Sequence, residues 1–369
     1  MYNWGKECSL WEEKEMRNFD YSYLKNRTWD NEILSYVAKI HEFKGKQELY
    51  LRQKPVELER LVEIAKVQST ESSNRIEGIV TTRSRLQQLV EDKTTPRNRD
   101  EKEILGYRNV LNLIHENYQY IPLKSNYILQ LHRDLLQYTE LSYGGKYKTS
   151  PNEIDAVLPN GEKRILFKPL EPYETPDAIE QICSSYQQAL DCEIVDSLIL
   201  IPCVILDFLC VHPFNDGNGR MSRLLTLLLL YSNDYVVGKY ISIEKEIADT
   251  KEAYYQALAQ ADLGWHEGTN DPKPFIKYML GIILKCYREF EERLTISEKS
   301  GKRSNSYDIV KTYVNSTIGT FTKRDAMENC PSLGSSSVES ALKKLVEDGT
   351  IIRKGQGRAS HYIRKDAIE

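Results

Sequence analysis

The chain has little that would mark it as secreted, membrane-borne or stapled. Its first twenty residues, MYNWGKECSLWEEKEMRNFD, contain no apolar signal core. Its apolar runs, Leu224–Tyr231 and the interrupted Ile194–Val211, are too short or too broken to span a bilayer. A cytoplasmic protein with no membrane partner is expected. The seven cysteines (Cys8, Cys183, Cys192, Cys203, Cys210, Cys286, Cys330) are odd in number and form no C-x-x-C pair. They read as buried free thiols of a reducing compartment, with a disulfide or zinc framework as the alternative. Strong charge of one sign is also missing. A net charge of -4 argues against a chain-wide nucleic-acid surface and leaves a local one open. There is no internal repeat and no low-complexity segment.

What is present is a long, ordinary globular composition. At 369 residues the chain exceeds one typical domain, so two or three units are expected. With 40% hydrophobic and 28% charged residues, core formation is not in question. Apolar residues recur at three- and four-residue intervals in ten segments before residue 300. These are Trp29–Glu42, Pro55–Val67, Arg83–Val90, Glu101–Tyr118, Ser125–Leu136, Thr175–Cys192, Asp196–Val211, Arg220–Tyr231, Thr250–Asp262 and Pro274–Arg293. The fold class is mainly α. One hairpin interrupts it: Glu153–Leu158 and Lys163–Lys168 flank Pro159-Asn160-Gly161-Glu162, a tight-turn signal. An open hairpin edge can dock an extended peptide, or simply decorate the surface.

Ser297–Asn305 reads as a polar linker. Beyond it come helices at Ser306–Asn315, Thr322–Asn329 and Ser335–Asp348. Strands follow at Thr350–Arg353 and His361–Arg364. Helix, short helix, turn, helix, hairpin is the order of a winged helix-turn-helix. From Gly301 onward 12 Lys+Arg face 8 Asp+Glu. That local excess fits DNA contact, and a protein-docking or dimerisation module is the alternative.

Nine residues carry the chemistry: His212-Pro213-Phe214-Asn215-Asp216-Gly217-Asn218-Gly219-Arg220, followed by Met221-Ser222-Arg223. Gly217 and Gly219 permit unusual backbone angles, so that free N–H groups can point into one anion-binding concavity. A helix beginning there would add positive potential. Arg220 and Arg223 are helix neighbours that could clamp outer phosphates. Asp216 offers a hard oxygen for Mg²⁺. His212 titrates in the range needed to take a proton from a hydroxyl. Phe214 reads as a buried anchor. Taken alone, Gly-Asn-Gly would be no more than a glycine-rich helix start; six polar roles within twelve residues are harder to reach by chance.

The stretch HPFNDGNGRMSR resembles the signature of the Fic family, H-P-F-x-[D/E]-G-N-[G/K]-R-x-x-R, at every specified position. The likeness extends from about Gln68 to Leu284. It implies a Fic-type helical bundle with a β-hairpin flap, preceding a small C-terminal winged helix domain. It implies an enzyme that transfers AMP from ATP to a Ser, Thr or Tyr hydroxyl of a target protein. His212 would be the general base and Asp216 the Mg²⁺ ligand. Gly217, Asn218 and Gly219 would cradle the α- and β-phosphates, within a nucleotide site that also takes in Phe214 and Asn215. Arg220 and Arg223 would hold the outer phosphates, with Ile165 and Leu166 of the flap on the nucleotide side. Tyr254 matches the tyrosine that packs near adenine. Asp262 stands where some relatives carry asparagine, which leaves that adenine contact open. A homodimer is a further expectation.

Ser73-x-x-x-Glu77-Gly78 would ordinarily be a helix end with a surface glutamate. Beside the motif it resembles the family's inhibitory-helix signature, [S/T]-x-x-x-E-[G/N]. Glu77 paired with Arg223 would occupy the arginine wanted by the γ-phosphate, and phosphoryl chemistry depends on positioning. The expected organisation is an N-terminal helical region over 1–100 with the inhibitory helix at about 68–78, a Fic core over 101–296 and a winged helix over 306–369. The expected function is an autoinhibited protein adenylyltransferase. The alternatives are a de-AMPylating enzyme and a nucleotide-sensing, DNA-binding regulator.

Overall fold

The computed structural model describes residues 17–53, 55–157, 163–299, 305–317, 319–355, 357 and 360–365. The N-terminal part runs through α1 (Asn31–Gln53), α2 (Pro55–Ile76), α3 (Arg83–Val90), α4 (Arg99–Asn117) and α5 (Ser125–Leu136). The hairpin strands β1 (Ile154–Val157) and β2 (Lys163–Phe167) follow. Then come α6 (Thr175–Asp191), α7 (Ser197–Val211), α8 (Asn218–Ser232), α9 (Ile243–Asp249), α10 (Lys251–Ala261) and α11 (Lys273–Lys299). The last group is α12 (Ser306–Ser316), β3 (Thr320–Phe321), α13 (Lys323–Asn329), α14 (Ser335–Glu347), β4 (Ile351–Lys354) and β5 (His361–Arg364).

The fold is mainly helical, as its periodicity implies. Beyond its first residue, α7 is apolar on all faces but for Asp207, whose carboxylate accepts from Tyr21 and Trp265, as expected of a central helix. All but two of its fifteen residues are buried. Asp196 caps it, its side chain accepting from the Leu198 N–H at 2.9 Å. α8, with Leu224, Leu225 and Leu227 to Leu230 all buried, packs beside it in the same core. Both ends of the loop from His212 to Gly217 are thus rooted in buried core helices.

Several boundaries differ from the sequence reading, and α1 runs past the expected Glu42 to Gln53. α2 is continuous from Pro55 to Ile76, so the segment ending at Val67 and the Ser73–Gly78 signature belong to one helix. It stops at Gly78 (φ 79), where the Ile79 N–H donates to the Asn74 carbonyl at 3.0 Å. That i to i−5 bond with a left-handed glycine is a Schellman stop, which leaves Glu77 at the helix end. α8 begins at Asn218 rather than Arg220. α11 continues to Lys299, so the first three residues of the expected linker are helical; 300–304 lie outside the described residues. Short apolar spacing also hid α9 and the two-residue β3.

The hairpin is antiparallel, pairing Ile154 with Phe167 and Val157 with Lys163 around an irregularity after Ile154. Its Asn-Gly turn lies outside the described residues. The C-terminal helices and a three-stranded sheet of order β3-β5-β4 enclose a separate core that includes Val310, Phe321, Val338, Leu342 and Ile351. This unit touches α2 through Arg324, 3.7 Å from Glu71.

Candidate functional site

The motif loop is held from beneath. Phe214 is fully buried and stacks on the His132 ring of α5 at 3.7 Å between centroids and 10° between planes. The Asn218 side chain closes the loop on itself: it accepts from the Phe214 N–H at 2.9 Å and donates to the Phe214 carbonyl at 2.7 Å. Phe214 and Asn218 therefore use their side chains to build the loop, while Asn215 is exposed. His132 was not singled out by the sequence. The Gly145 N–H donates to its Nδ1 at 3.1 Å, so Nε2 carries the proton and donates to the Asp216 carbonyl at 3.0 Å. Burial lowers the His132 pKa to about 4, which keeps that ring neutral and the tautomer fixed.

His212 caps α7 in the left-handed region, with φ 50 and ψ 61. Its Nδ1 lies 3.3 Å from the Leu209 carbonyl. A carbonyl only accepts, so Nδ1 carries the hydrogen and Nε2 keeps a free lone pair. Burial, with the Lys148 ammonium pushing the same way, lowers the His212 pKa to about 4. At neutral pH this imidazole is an unprotonated base.

Arg220 is not free to reach outward. Its guanidinium is buried at 1% exposure, 2.7 Å from the Glu103 carboxylate, itself 3% exposed. It also lies 3.4 Å from Asp216 Oδ1. Arg99 approaches Asp216 Oδ2 at 3.7 Å and donates to Glu103 at 2.7 Å. Asp216 further accepts from the Gly217 N–H at 2.6 Å. The remaining side of Asp216 faces a cleft of about 300 Å³, lined also by Glu77, Ile79, Arg99, Asp100 and Glu103. Glu103 thus neutralises the buried Arg220 and was invisible in the sequence. Glu103→Ala, which strands that guanidinium, should cost about 3–5 kcal/mol of folding stability. Urea unfolding measures it, and a loss below about 1 kcal/mol would contradict this role.

Arg223 is the contested group. It is buried and donates through Nε to the Ser73 hydroxyl at 2.8 Å. Through Nη2 it donates to the Ser73 carbonyl at 2.9 Å and to Glu77 Oε1 at 2.7 Å. One guanidinium thereby satisfies three acceptors on the last turns of α2. The Glu77 side chain is 33% exposed. Burial alone would raise its pKa, but Arg223, helped by Arg220 and Lys251, outweighs this and lowers it. The carboxylate lies against Gly219 in the first turn of α8, where a Cβ on residue 219 would overlap it. A negative group at a helix N-terminus, beside an arginine, stands where a phosphate would be favoured.

α2 is fixed in this position from its other side. Ser69 donates to Glu244 at 2.7 Å, and Tyr107 donates to the same buried carboxylate at 3.0 Å. Lys251 donates to the Ile76 carbonyl at 2.8 Å. Tyr254 is buried on α10 in an aromatic group with Tyr255, Phe275 and Tyr278. Asp262 caps the C-terminus of α10, and burial raises its pKa to about 6.

Ile165 and Leu166 lie on β2. The Ile165 side chain is 54% exposed; that of Leu166 is outside the described side chains. The base of the hairpin is pinned to the loop after α10. There Phe167 stacks on His266, whose ring nitrogen lies 2.8 Å from the Lys168 carbonyl. Among the described residues, no group of three or more His, Cys, Asp and Glu collects into a self-sufficient metal site, and no helix is long and apolar enough to cross a membrane.

Residues 122–230 match the model of the Fic/DOC family, and the chain carries a Fic domain. Over 289 residues it is 22% identical to the protein adenylyltransferase Fic of Nematostella vectensis, covering 76% of this chain and 60% of that one. It is 27% identical over 186 residues to the protein of the same name from Drosophila mojavensis, covering 49% and 32%. The chain thus spans between about a third and three-fifths of the curated relatives it matches. Among solved structures, a Fic family protein from Desulfovibrio desulfuricans aligns with a TM-score of 0.60 at 20% identity, over 92% of this chain and 97% of that one. A Fic-domain signaling protein from Bacteroides thetaiotaomicron aligns with a TM-score of 0.55 at 24% identity, over 70% and 95%.

Proposed function

We propose that this chain is a protein adenylyltransferase held in an inhibited state by its own α2. The observation that carries the reading is Arg223, engaged by Glu77 and Ser73 at the start of the anion-binding helix. In the released enzyme Arg223 would hold the outer phosphates of ATP, and the backbone N–H groups at Gly217–Gly219 would cradle the inner ones. His212 Nε2 would take the proton of a target hydroxyl while its oxygen attacks the α-phosphorus. The P–O bond to the β-phosphate then breaks and pyrophosphate leaves. Tyr254 would pack near adenine, and the Ile165–Leu166 strand would register the target segment. The half-exposed Asp216 carboxylate suits a Mg²⁺ ion, which takes one or two carboxylates plus phosphates and keeps several waters. When bound, that ion would neutralise phosphate charge.

Arg220 takes a different part from the one its place in the motif suggests. Buried against Glu103, it would set Asp216 rather than grip phosphate. The expected division at 1–100, 101–296 and 306–369 is retained as part of the proposal. The winged-helix reading of the last unit is supported by its element order and separate core.

The experiment is incubation of the Glu77→Gly protein and a cell lysate with ATP labelled on the α- or the γ-phosphate. Label that depends on the added protein and comes from the α-position alone supports adenylyl transfer; added-protein-dependent label from the γ-position contradicts it.

The pH dependence follows from His212. The working base is the neutral imidazole, present above a pKa of about 4 and lost as pH falls through it. The kcat/KM of the released enzyme, which reports the free enzyme's base, should therefore stay flat from about pH 7.5 down to about pH 5. A midpoint near the ordinary histidine value would contradict the burial argument.

A further inference from the structure

The left-handed conformation of His212 needs a cause. A non-glycine residue there costs on the order of 1–2 kcal/mol, and such strain persists only where the surroundings over-determine it. Among the described residues, the hydrogen bond of its side chain goes to Leu209 on its own helix and does not brace the turn from outside.

The cause lies in a segment between α5 and the hairpin. Four consecutive carbonyls, from Val211 to Phe214, each accept a hydrogen bond from Lys148 or Asn152. Lys148 Nζ donates to the Val211 carbonyl at 2.9 Å. Asn152 Nδ2 donates to the His212 carbonyl at 3.2 Å. The Lys148 backbone N–H donates to the Pro213 carbonyl at 2.9 Å. Asn152 Nδ2 also reaches the Phe214 carbonyl at 3.1 Å. The two side chains are tied together, Lys148 Nζ donating to Asn152 Oδ1 at 2.9 Å. Lys148 is 2% exposed, so its ammonium is committed to these partners. It also stands at the C-terminal end of α7, where a cation is favoured by the helix dipole.

We infer that Lys148 and Asn152 are positioning residues for the reaction: they hold His212 in its left-handed turn and so fix where its base nitrogen sits. Neither touches the phosphate-holding groups, which are Arg223 and the first turn of α8. Their loss should therefore misplace the base and spare the nucleotide. A displacement of about 1 Å in a reacting group can cost on the order of 10²-fold in rate. The inference deepens the adenylyltransferase reading and rests on it.

The test uses full-length protein with Glu77→Gly as the parent. Lys148→Met keeps the chain length and removes the donor. Asn152→Ser is the milder second variant at a half-buried position, in case the first fails to fold. Each should lower the transfer rate about 10- to 100-fold, with ATP affinity by calorimetry changed less than about twofold. A separate readout does not depend on activity. In ¹⁵N-histidine-labelled protein, the His212 ring signal, assigned by its absence in His212→Ala, should report an Nδ1-protonated tautomer in the parent. It should shift toward a mixed population in both variants. An inactive parent would sink the adenylyltransferase reading while leaving the tautomer arm to judge the brace. An active parent whose variants keep both its rate and its tautomer would overturn the brace, as would a loss of ATP affinity equal to the loss of rate.

Discussion

Replacing Glu77 by glycine should raise adenylyl transfer by on the order of 10²-fold or more. The size comes from what Arg223 is prevented from doing. Removing one preorganised charged contact from a phosphoryl-transfer site costs about 10²–10³ in rate, and an arginine on the outer phosphates costs as much or more. In the structure that arginine spends its donors on Ser73 and Glu77. Glycine at 77 removes the 2.7 Å partner and clears the space over Gly219. It leaves the Ser73 contacts and the anchors of α2 on Glu244 and Lys251 in place. The helix should therefore stay folded, but with a lower unfolding midpoint, since the buried Arg223 loses its carboxylate partner. Quantified labelling from α-labelled ATP measures the gain, and equal labelling would contradict the brake.

Replacing His212 by alanine in the Glu77→Gly protein should remove transfer by about 10²–10⁴-fold, the usual contribution of a positioned general base. Nucleotide binding should survive, because His212 is not among the groups that would hold phosphate. Single-turnover rates and ATP calorimetry on the same samples separate the two quantities. Residual transfer within about threefold of the parent would remove His212 from the mechanism. Loss of ATP binding instead of rate would assign it to the nucleotide site.

How much of this was readable in the sequence depended on spacing. The motif's residues are contiguous, so the sequence alone singled out His212, Asp216 and the glycines between Asp216 and Arg220. Glu77 and Ser73 were singled out only by their resemblance to the family's inhibitory signature, since a four-residue step before a glycine is otherwise an ordinary helix end. What stayed hidden depends on contacts between distant segments. Glu103, His132, Lys148 and Asn152 look like surface or loop polar residues in sequence; tertiary packing buries Glu103 and His132 against Arg220 and Phe214. The Glu103 carboxylate that neutralises Arg220 lies on a distant helix, so nothing in the motif itself revealed it. The helix boundaries were missed where capping decides, as at Asn218, whose side chain bonds the Phe214 backbone rather than starting an apolar stripe.

The central claim is that Glu77 restrains the enzyme through Arg223 and not by some general stiffening of α2. Epistasis tests it directly. The gain from Glu77→Gly is to be measured twice, once with Arg223 present and once in the Arg223→Ala background, with labelling from α-labelled ATP. With Arg223 present the gain should be on the order of 10²-fold or more. Without it, the gain should collapse to within about twofold of none, since the residue that Glu77 withholds is no longer there to release. A gain that persists undiminished in the Arg223→Ala protein would contradict the account.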